Sequence, residues 1–224
     1  MRMTFPNNRQ MVGSSSCGPV SLYNIYAHFG IKTSLRQILN DLKIDDKKAT
    51  YPAQLAVDIK KHGLGTILLT SSPRLVAPNW VNHENREIIK KLSKWLRKHK
   101  NDKWSVNVKH LLTYLKHSGD ILITDLTTKL IDEYLDQGYL VMPCLEDSWI
   151  WGQRKIKGKA EFDDIAGEPR GHFVVVYGKE DNEYLVSDPY PTGLQNREGI
   201  YKIDKDKLLV ATLFWSATIV AVKK

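Results

Sequence analysis

The second half of the chain is most informative at residues 171–178, which have the sequence Gly-His-Phe-Val-Val-Val-Tyr-Gly. The valines and aromatic residues are typical of a β-strand, predicted over 173–177, and they place His172 where a loop meets that strand. Other segments rich in Val, Ile and Tyr are predicted strands: 139–145, 184–187, 199–203 and 213–222. The charged segment 149–171 is predicted to be a long loop.

The first half of the chain has a helical pattern instead. Apolar residues from Val20 to Phe29 recur at helix-like spacing, and Gly30 ends the pattern. Further helices are predicted from Ser34 and over 52–61, 84–100, 106–116 and 127–136, with short strands over 66–70 and 121–124. Because helices dominate one half and strands the other, the sequence predicts an α+β fold, with an N-terminal helical lobe packed on a C-terminal antiparallel β-sheet.

The two halves are not separated by a linker, because no Pro- or Ser-rich segment occurs near residue 138. We therefore expect a single domain over 1–224, with a mainly helical lobe over 1–138 and a β-sheet lobe over 139–224. A chain of 224 residues is long enough to bury a core without a disulfide or metal.

Composition points to a globular protein in a reducing compartment. Apolar residues make up 42% of the chain and charged residues 26%. Two cysteines form at most one disulfide, which favours a reducing setting. We find neither a signal-peptide pattern nor an apolar segment long enough to cross a bilayer, and so expect a cytoplasmic location without membrane insertion.

The net charge of +8 is concentrated in residues 86–103, which hold eight basic residues against Glu87 and Asp102. Such a segment is compatible with an acidic partner or nucleic acid. The solvated face of an amphipathic helix explains it more simply. An acidic partner at helix 86–103 therefore stays open as a prediction, and nucleic acid is not expected.

Cys17 has the surroundings of a nucleophile. It follows Gly13-Ser14-Ser15-Ser16 and begins a helix as Cys17-Gly18-Pro19. A helix N-terminus has unpaired N–H groups and a partial positive charge, and both favour the thiolate. A buried, inert cysteine is the ordinary alternative at such a position.

His172 and Asp188 are expected to meet across a hairpin. Asp188 follows His172 by 16 residues and ends the second of two strands joined by a turn at 179–182. The end of that strand then lies beside the start of the first, which suits a carboxylate that orients an imidazole. Alone, a surface histidine and an Asp-Pro turn would explain both residues.

Taken together, these segments resemble the C39 peptidases and related papain-like cysteine enzymes. The resemblance rests on Cys17-Gly18-Pro19 at a helix start, Gly171-His172-Phe173-Val174-Val175 at a strand start and Ser187-Asp188-Pro189 at a strand end. The order Cys, His, Asp agrees, as does the wide separation of Cys17 and His172. The resemblance covers most of the chain in outline but only these segments in detail. Residues 64–120 match no sequence pattern of a known family.

The resemblance implies a papain-like fold and a Cys17, His172 and Asp188 triad that acts on a peptide or amide bond through a thioester. It also implies an oxyanion hole formed by the Cys17 backbone N–H and a side-chain amide upstream. Gln10 is the candidate for that amide. Because its interval to Cys17 is longer than is usual in the family, Asn7 and Asn8 stay open as alternatives.

Two other functions remain open on the same scaffold. One is an acyltransferase or ligase, because a thioester accepts any nucleophile. The other is a non-catalytic binding protein. No cofactor is expected, and no spacing of Cys and His residues predicts a metal site. Cys144 is predicted to pack within a strand, while Trp149 and Trp151 fit a substrate cleft or a core equally well.

Overall fold

The computed structural model describes residues 5–224. Its α-helices are α1 (Cys17–His28), α2 (Leu35–Leu42), α3 (Pro52–Lys61), α4 (Asn85–Lys98), α5 (Ser105–Lys116), α6 (Thr128–Asp136), α7 (Asp147–Trp151) and α8 (Lys205–Trp215). Its strands are β1 (Gly65–Thr70), β2 (Asp120–Ile123), β3 (Leu140–Glu146), β4 (Gly171–Phe173), β5 (Val175–Glu180), β6 (Glu183–Ser187), β7 (Ile200–Asp204) and β8 (Thr218–Lys223).

The strands form one sheet in the order β2-β1-β8-β3-β5-β6-β7, and β4 also pairs with β3. All pairs are antiparallel except β1 with β2. The parallel pair is possible because α4 and α5 lie in the connection and carry the chain back along the sheet. The α+β prediction is confirmed, and strands from before residue 138 belong to the same sheet.

Both faces of the sheet are covered by helices. On β3, Met142 and Cys144 join a core with α1–α5, whereas Val141 and Leu145 join a second core with α6–α8. All seven residues of β3 are buried, so this central strand is almost continuously apolar rather than alternating.

The predicted strand 213–222 is wrong in its first part. Helix α8 extends to Trp215, and the strand begins only at Thr218. Asp204 caps this helix by accepting a hydrogen bond from the Lys207 N–H at 3.0 Å. The residues between Leu208 and Trp215 are apolar enough for either structure, so the cap and the packing of the helix on β3 decide for a helix.

The segment expected to be a loop over 149–171 begins inside a helix. Helix α7 ends at Trp151, and the Glu146 carboxylate caps it by accepting hydrogen bonds from the N–H groups of Ser148 and Trp149. Residues 152–170 are largely irregular, as predicted, with isolated bridges at Lys155.

The parallel strands are joined by the hydroxyl of Tyr114, a fully buried residue of α5. This hydroxyl donates to the Thr66 carbonyl on β1 at 2.9 Å and accepts from the Asp120 N–H on β2 at 3.1 Å. Its removal would leave a buried polar group of β1 and a partly buried one of β2 with fewer partners.

We predict that Tyr114→Phe lowers the free energy of unfolding by about 1–3 kcal/mol, because the buried Thr66 carbonyl and the partly buried Asp120 N–H lose a partner. Urea denaturation measures this change. Tyr134→Phe is the matched control, since the half-buried Tyr134 makes no hydrogen bond through its hydroxyl within residues 5–224, and we expect a change of about 0.5 kcal/mol or less. Equal losses in both variants would contradict the role of the Tyr114 hydroxyl.

Candidate active site

Cys17 is the first residue of α1 and lies half-buried at a cavity of about 840 Å³. The next residue must be glycine because α1 approaches α3 closely. A Cβ on Gly18 would come within 2.3 Å of the Thr50 Oγ1 and 2.9 Å of a Leu55 methyl group. The Gly18 position thus holds the start of α1, and with it the thiol, close to the neighbouring helix.

His172 and Asp188 meet as the hairpin pattern predicts. His172 lies on β4, Asp188 directly follows β6, and the His172 Nε2 lies 2.7 Å from the Asp188 Oδ1. Both side chains are buried. Because Nε2 faces the carboxylate, the other ring nitrogen, Nδ1, is left for a second partner.

The Asp188 carboxylate is held by four donors. Its Oδ1 also accepts from the Tyr190 N–H at 2.9 Å, and its Oδ2 accepts from the Trp151 Nε1–H at 3.0 Å and the Tyr201 hydroxyl at 2.8 Å. A buried carboxylate stays ionised only when donors and a cation replace its hydration shell. These contacts fix both the charge of Asp188 and the orientation of His172.

The two groups shift each other's proton affinity. Burial alone would lower the pKa of His172, but the charge and hydrogen bond of Asp188, together with Cys17, raise it well above its ordinary value. Burial alone would raise the pKa of Asp188, but the His172 charge and the surrounding donors lower it. Both shifts favour the charged form, a carboxylate beside an imidazolium.

Cys17 and His172 line the same cavity, and a hydrogen bond with the Cys17 side chain is among the causes of the raised His172 pKa. The three residues predicted from the sequence thus lie together at one site. This arrangement allows proton exchange between a thiol and an imidazole whose orientation a carboxylate controls.

Gln10 also lines this cavity and is buried. Its amide nitrogen lies 3.0 Å from the Ser14 carbonyl oxygen and 3.3 Å from the Ser14 hydroxyl, and it donates to both. Its Oε1 is buried without a hydrogen-bond partner in the part of the chain that the structure describes. The Asn7 and Asn8 amides donate elsewhere, to Ser187 and Asn24 respectively.

Trp151, Tyr190 and Tyr201 belong to the site although sequence patterns gave them no role beyond the cleft-or-core alternative for Trp151. Trp151 is buried and bonds to Asp188, whereas Trp149 is exposed and packs edge-on against Phe214 at 5.5 Å between ring centroids. These residues lie 37, 2 and 13 positions from Asp188 in the sequence, which is no regular pattern, so the sequence offers no signal that they bond to it.

Gly171 allows α8 to close one side of the site. A Cβ on Gly171 would come within 2.2 Å of the Trp215 indole nitrogen. The indole therefore packs directly on the backbone beside His172. The glycine before the histidine has a packing reason that the sequence alone does not reveal.

Cys144 also lines the cavity, but it is more buried than Cys17. It is buried on β3, and burial raises the pKa of its thiol to about 12. The thiolate is the reactive form of cysteine, so Cys144 is protected near neutral pH. Its packing role agrees with the sequence prediction.

The basic segment lies on α4 and the turn that follows, and none of its eight basic side chains is among the described residues that line the cavity. Seven of its eight basic side chains are exposed, and within residues 5–224 none of the eight forms an ion pair. Lys91 is half-buried with its ammonium 5.6 Å from the centre of the Trp80 ring. An acidic partner for this surface stays a prediction.

Residues 5–224 contain neither a candidate metal site nor a candidate membrane-spanning helix. No group of three or more His, Cys, Asp or Glu side chains has a geometry that could hold a metal ion. No helix in this range is long and apolar enough to cross a membrane.

Comparison with solved structures identifies the fold. The peptidase domain of Streptococcus ComA, a bifunctional ABC transporter involved in a quorum-sensing pathway, is similar at 13% identity and a TM-score of 0.51, with 98% of each chain covered. A protein from Bacillus anthracis described as a C39-like peptidase has 11% identity and a TM-score of 0.49 over 99% of this chain and 95% of that chain. No family model and no curated protein matches the sequence.

The chain therefore has a C39-like, papain-like fold, as its sequence segments predicted. At such low identity the likeness defines the fold and leaves the chemistry to the residues of the site.

We predict that Asp188→Asn lowers the pKa of His172 by about 1–3 pH units, because the imidazolium loses its charged partner. Titration of the His172 ring by nuclear magnetic resonance measures the change. Glu168→Gln, which removes an exposed carboxylate bonded to Arg170, is the control and should leave the titration unchanged. An unaltered His172 pKa in a folded Asp188→Asn variant would show that the pair is not coupled.

Proposed function

We propose that this protein is a cysteine peptidase or amide hydrolase with Cys17 as nucleophile, His172 as general acid and base, and Asp188 as the residue that orients His172. The observation that carries the proposal is the buried His172–Asp188 pair, 2.7 Å apart, at the cavity that also exposes Cys17 at a helix start. The C39-like fold supports it.

In the proposed mechanism, the Cys17 proton resides on His172, and the sulfur attacks the carbonyl carbon of the scissile amide. A carbon–sulfur bond forms, and the carbonyl electrons move to oxygen. When the tetrahedral intermediate collapses, His172 donates its proton to the leaving amine and the carbon–nitrogen bond breaks. His172 then takes a proton from water as the water oxygen attacks the thioester carbon. The carbon–sulfur bond breaks, the acid product leaves, and the sulfur of Cys17 again shares with His172 the proton that came from water.

The oxyanion of the intermediate would be held by the Cys17 backbone N–H and the Gln10 amide. Burial of Gln10 at the cavity supports its part in this proposal. Its amide nitrogen already donates to Ser14, so this role requires one N–H to turn from Ser14 towards the substrate. A Gln10 side chain held in this way would bind the oxygen only as charge develops on it.

Iodoacetamide at neutral pH should label Cys17 at least about 100-fold faster than Cys144, because Cys144 is buried with a raised thiol pKa. His172→Ala should slow the labelling of Cys17, since the thiolate loses its partner. Peptide mass spectrometry measures both rates. His117→Ala, which removes an exposed histidine, is the matched control. Equal labelling of the two cysteines, unaffected by His172→Ala, would refute the proposed nucleophile.

A proteome-derived peptide library should be cleaved by the wild-type protein and not by Cys17→Ala. Asp188→Asn should reduce kcat/KM by about 100-fold or more, because the imidazole loses its orientation and charge partner. Product masses measured with and without an added amine separate hydrolysis from acyl transfer, since transfer yields the amide of that amine. Cleavage that persists in Cys17→Ala would place the chemistry elsewhere.

A further inference from the structure

Lys155 is a buried cation in the irregular segment between α7 and β4, and it is not required by the mechanism above. It is only 7% exposed. Its backbone is fixed by antiparallel bridges to Phe162 and Glu168, and its carbonyl accepts from the Glu168 N–H at 3.2 Å. The position of this side chain is therefore set by backbone pairing.

The Lys155 ammonium lies at the cavity without a counterion in contact. Its Nζ is 4.6 Å from the centre of the Tyr190 ring, and it forms no ion pair among residues 5–224. Burial lowers its pKa, while the charge of Asp147 acts in the opposite direction. Removing an ammonium from water without a bonded anion is unfavourable, so the position is suited to an anion that a ligand supplies.

Asp147 does not fill that role. It is buried, and its Oδ1 accepts from the Arg170 N–H at 3.0 Å. Burial raises the pKa of its carboxyl to about 6, against the opposing effects of His172 and nearby cations. Asp147 is thus occupied in holding the start of β4.

The remaining charges around the cavity have the same sign as Lys155. Apart from Cys17 and His172, the described lining contains four other cationic side chains, and Asp147 is its one aspartate or glutamate. The other cations are Lys47, Arg74, Lys157 and Arg170. Arg170 bonds to Glu168 through its Nη2 at 2.9 Å, and its buried Nε has no hydrogen-bond partner in the described chain. A cavity with one sign of charge concentrates ligands of the opposite sign.

Lys155 and Cys17 line the same cavity, together with the Tyr190 ring that packs against the ammonium. An anion bound at Lys155 would therefore share this cavity with the proposed nucleophile.

We infer that the cavity selects peptides that carry a carboxylate close to the scissile bond, and that Lys155 is the residue that determines this specificity. The inference rests on the proposed function, since it names the substrate class of the same site. The carboxylate belongs to an Asp or Glu side chain or to the C-terminus of the peptide, and the two sources are separated by experiment.

The test uses the Cys17→Ala protein, so that binding is measured without turnover. Two pools of N-acetylated octapeptides contain Asp and Glu peptides mixed with their Asn and Gln isosteres, one pool with amidated C-termini and the other with free C-termini. Bound peptides are separated by gel filtration and counted by mass spectrometry. We expect at least about tenfold enrichment of the carboxylate-bearing peptides over their isosteres. Enrichment of Asp and Glu peptides in the amidated pool assigns the side chain. Binding of the free-terminus pool without preference for Asp or Glu, together with no binding of the amidated pool, assigns the terminus.

The enrichment should disappear in Cys17→Ala/Lys155→Met, which keeps the aliphatic length of the side chain and removes its charge. Cys17→Ala/Lys47→Met is the matched control, because Lys47 is an exposed cation on the lining of the same cavity, and most of the enrichment should remain. Should the Lys155→Met variant fail to fold by circular dichroism, Lys155→Gln should lose the preference and Lys155→Arg should keep it.

The inference is overturned if Cys17→Ala shows no enrichment, or if the loss is the same in the Lys155 and Lys47 variants, which would indicate diffuse attraction. A protein that binds carboxylate peptides through Lys155 but cleaves none would retain this inference and contradict the proposed hydrolysis. Cleavage of a peptide library without preference for carboxylates would support the proposed hydrolysis and contradict this inference.

Discussion

The charged pair of His172 and Asp188 constrains the rest of the structure. A buried carboxylate and imidazolium cost much free energy unless both are fully satisfied, and Asp188 meets this condition with donors from α7, β7 and its own turn. The register of β5 with β6 then brings Asp188, the residue after β6, beside His172 on β4. The hairpin, the short helix α7 and strand β7 are thus coupled through one carboxylate.

Two close approaches set the site relative to that pair. Gly18 lets α1 pack against the start of α3, and Gly171 lets the Trp215 indole lie on the backbone beside His172. Each contact depends on the absence of a side chain. Together they hold the thiol and the imidazole at one cavity between elements that are far apart in the chain.

The cavity combines the proposed reactive centre with an excess of positive charge. The residues proposed to react lie on α1, β4 and the end of β6, whereas Lys155 lies on the irregular segment between α7 and β4. A rigid scaffold for the chemistry beside a long connection for ligand recognition is a common division in proteins. The residues of the proposed reaction thus lie on different segments from Lys155, which would determine substrate specificity.

Local sequence was sufficient to predict most helices, the strands around His172 and the meeting of His172 with Asp188, because periodicity and a short hairpin depend on neighbours in the chain. It could not decide between helix and strand over 205–215, where apolar residues suit both and only the Asp204 cap and packing on β3 choose. It also gave no sign of the parallel β1–β2 pair. The donors around Asp188 and the unpaired ammonium of Lys155 likewise depend on residues distant in sequence, because burial and the loss of hydration exist only once the chain has folded.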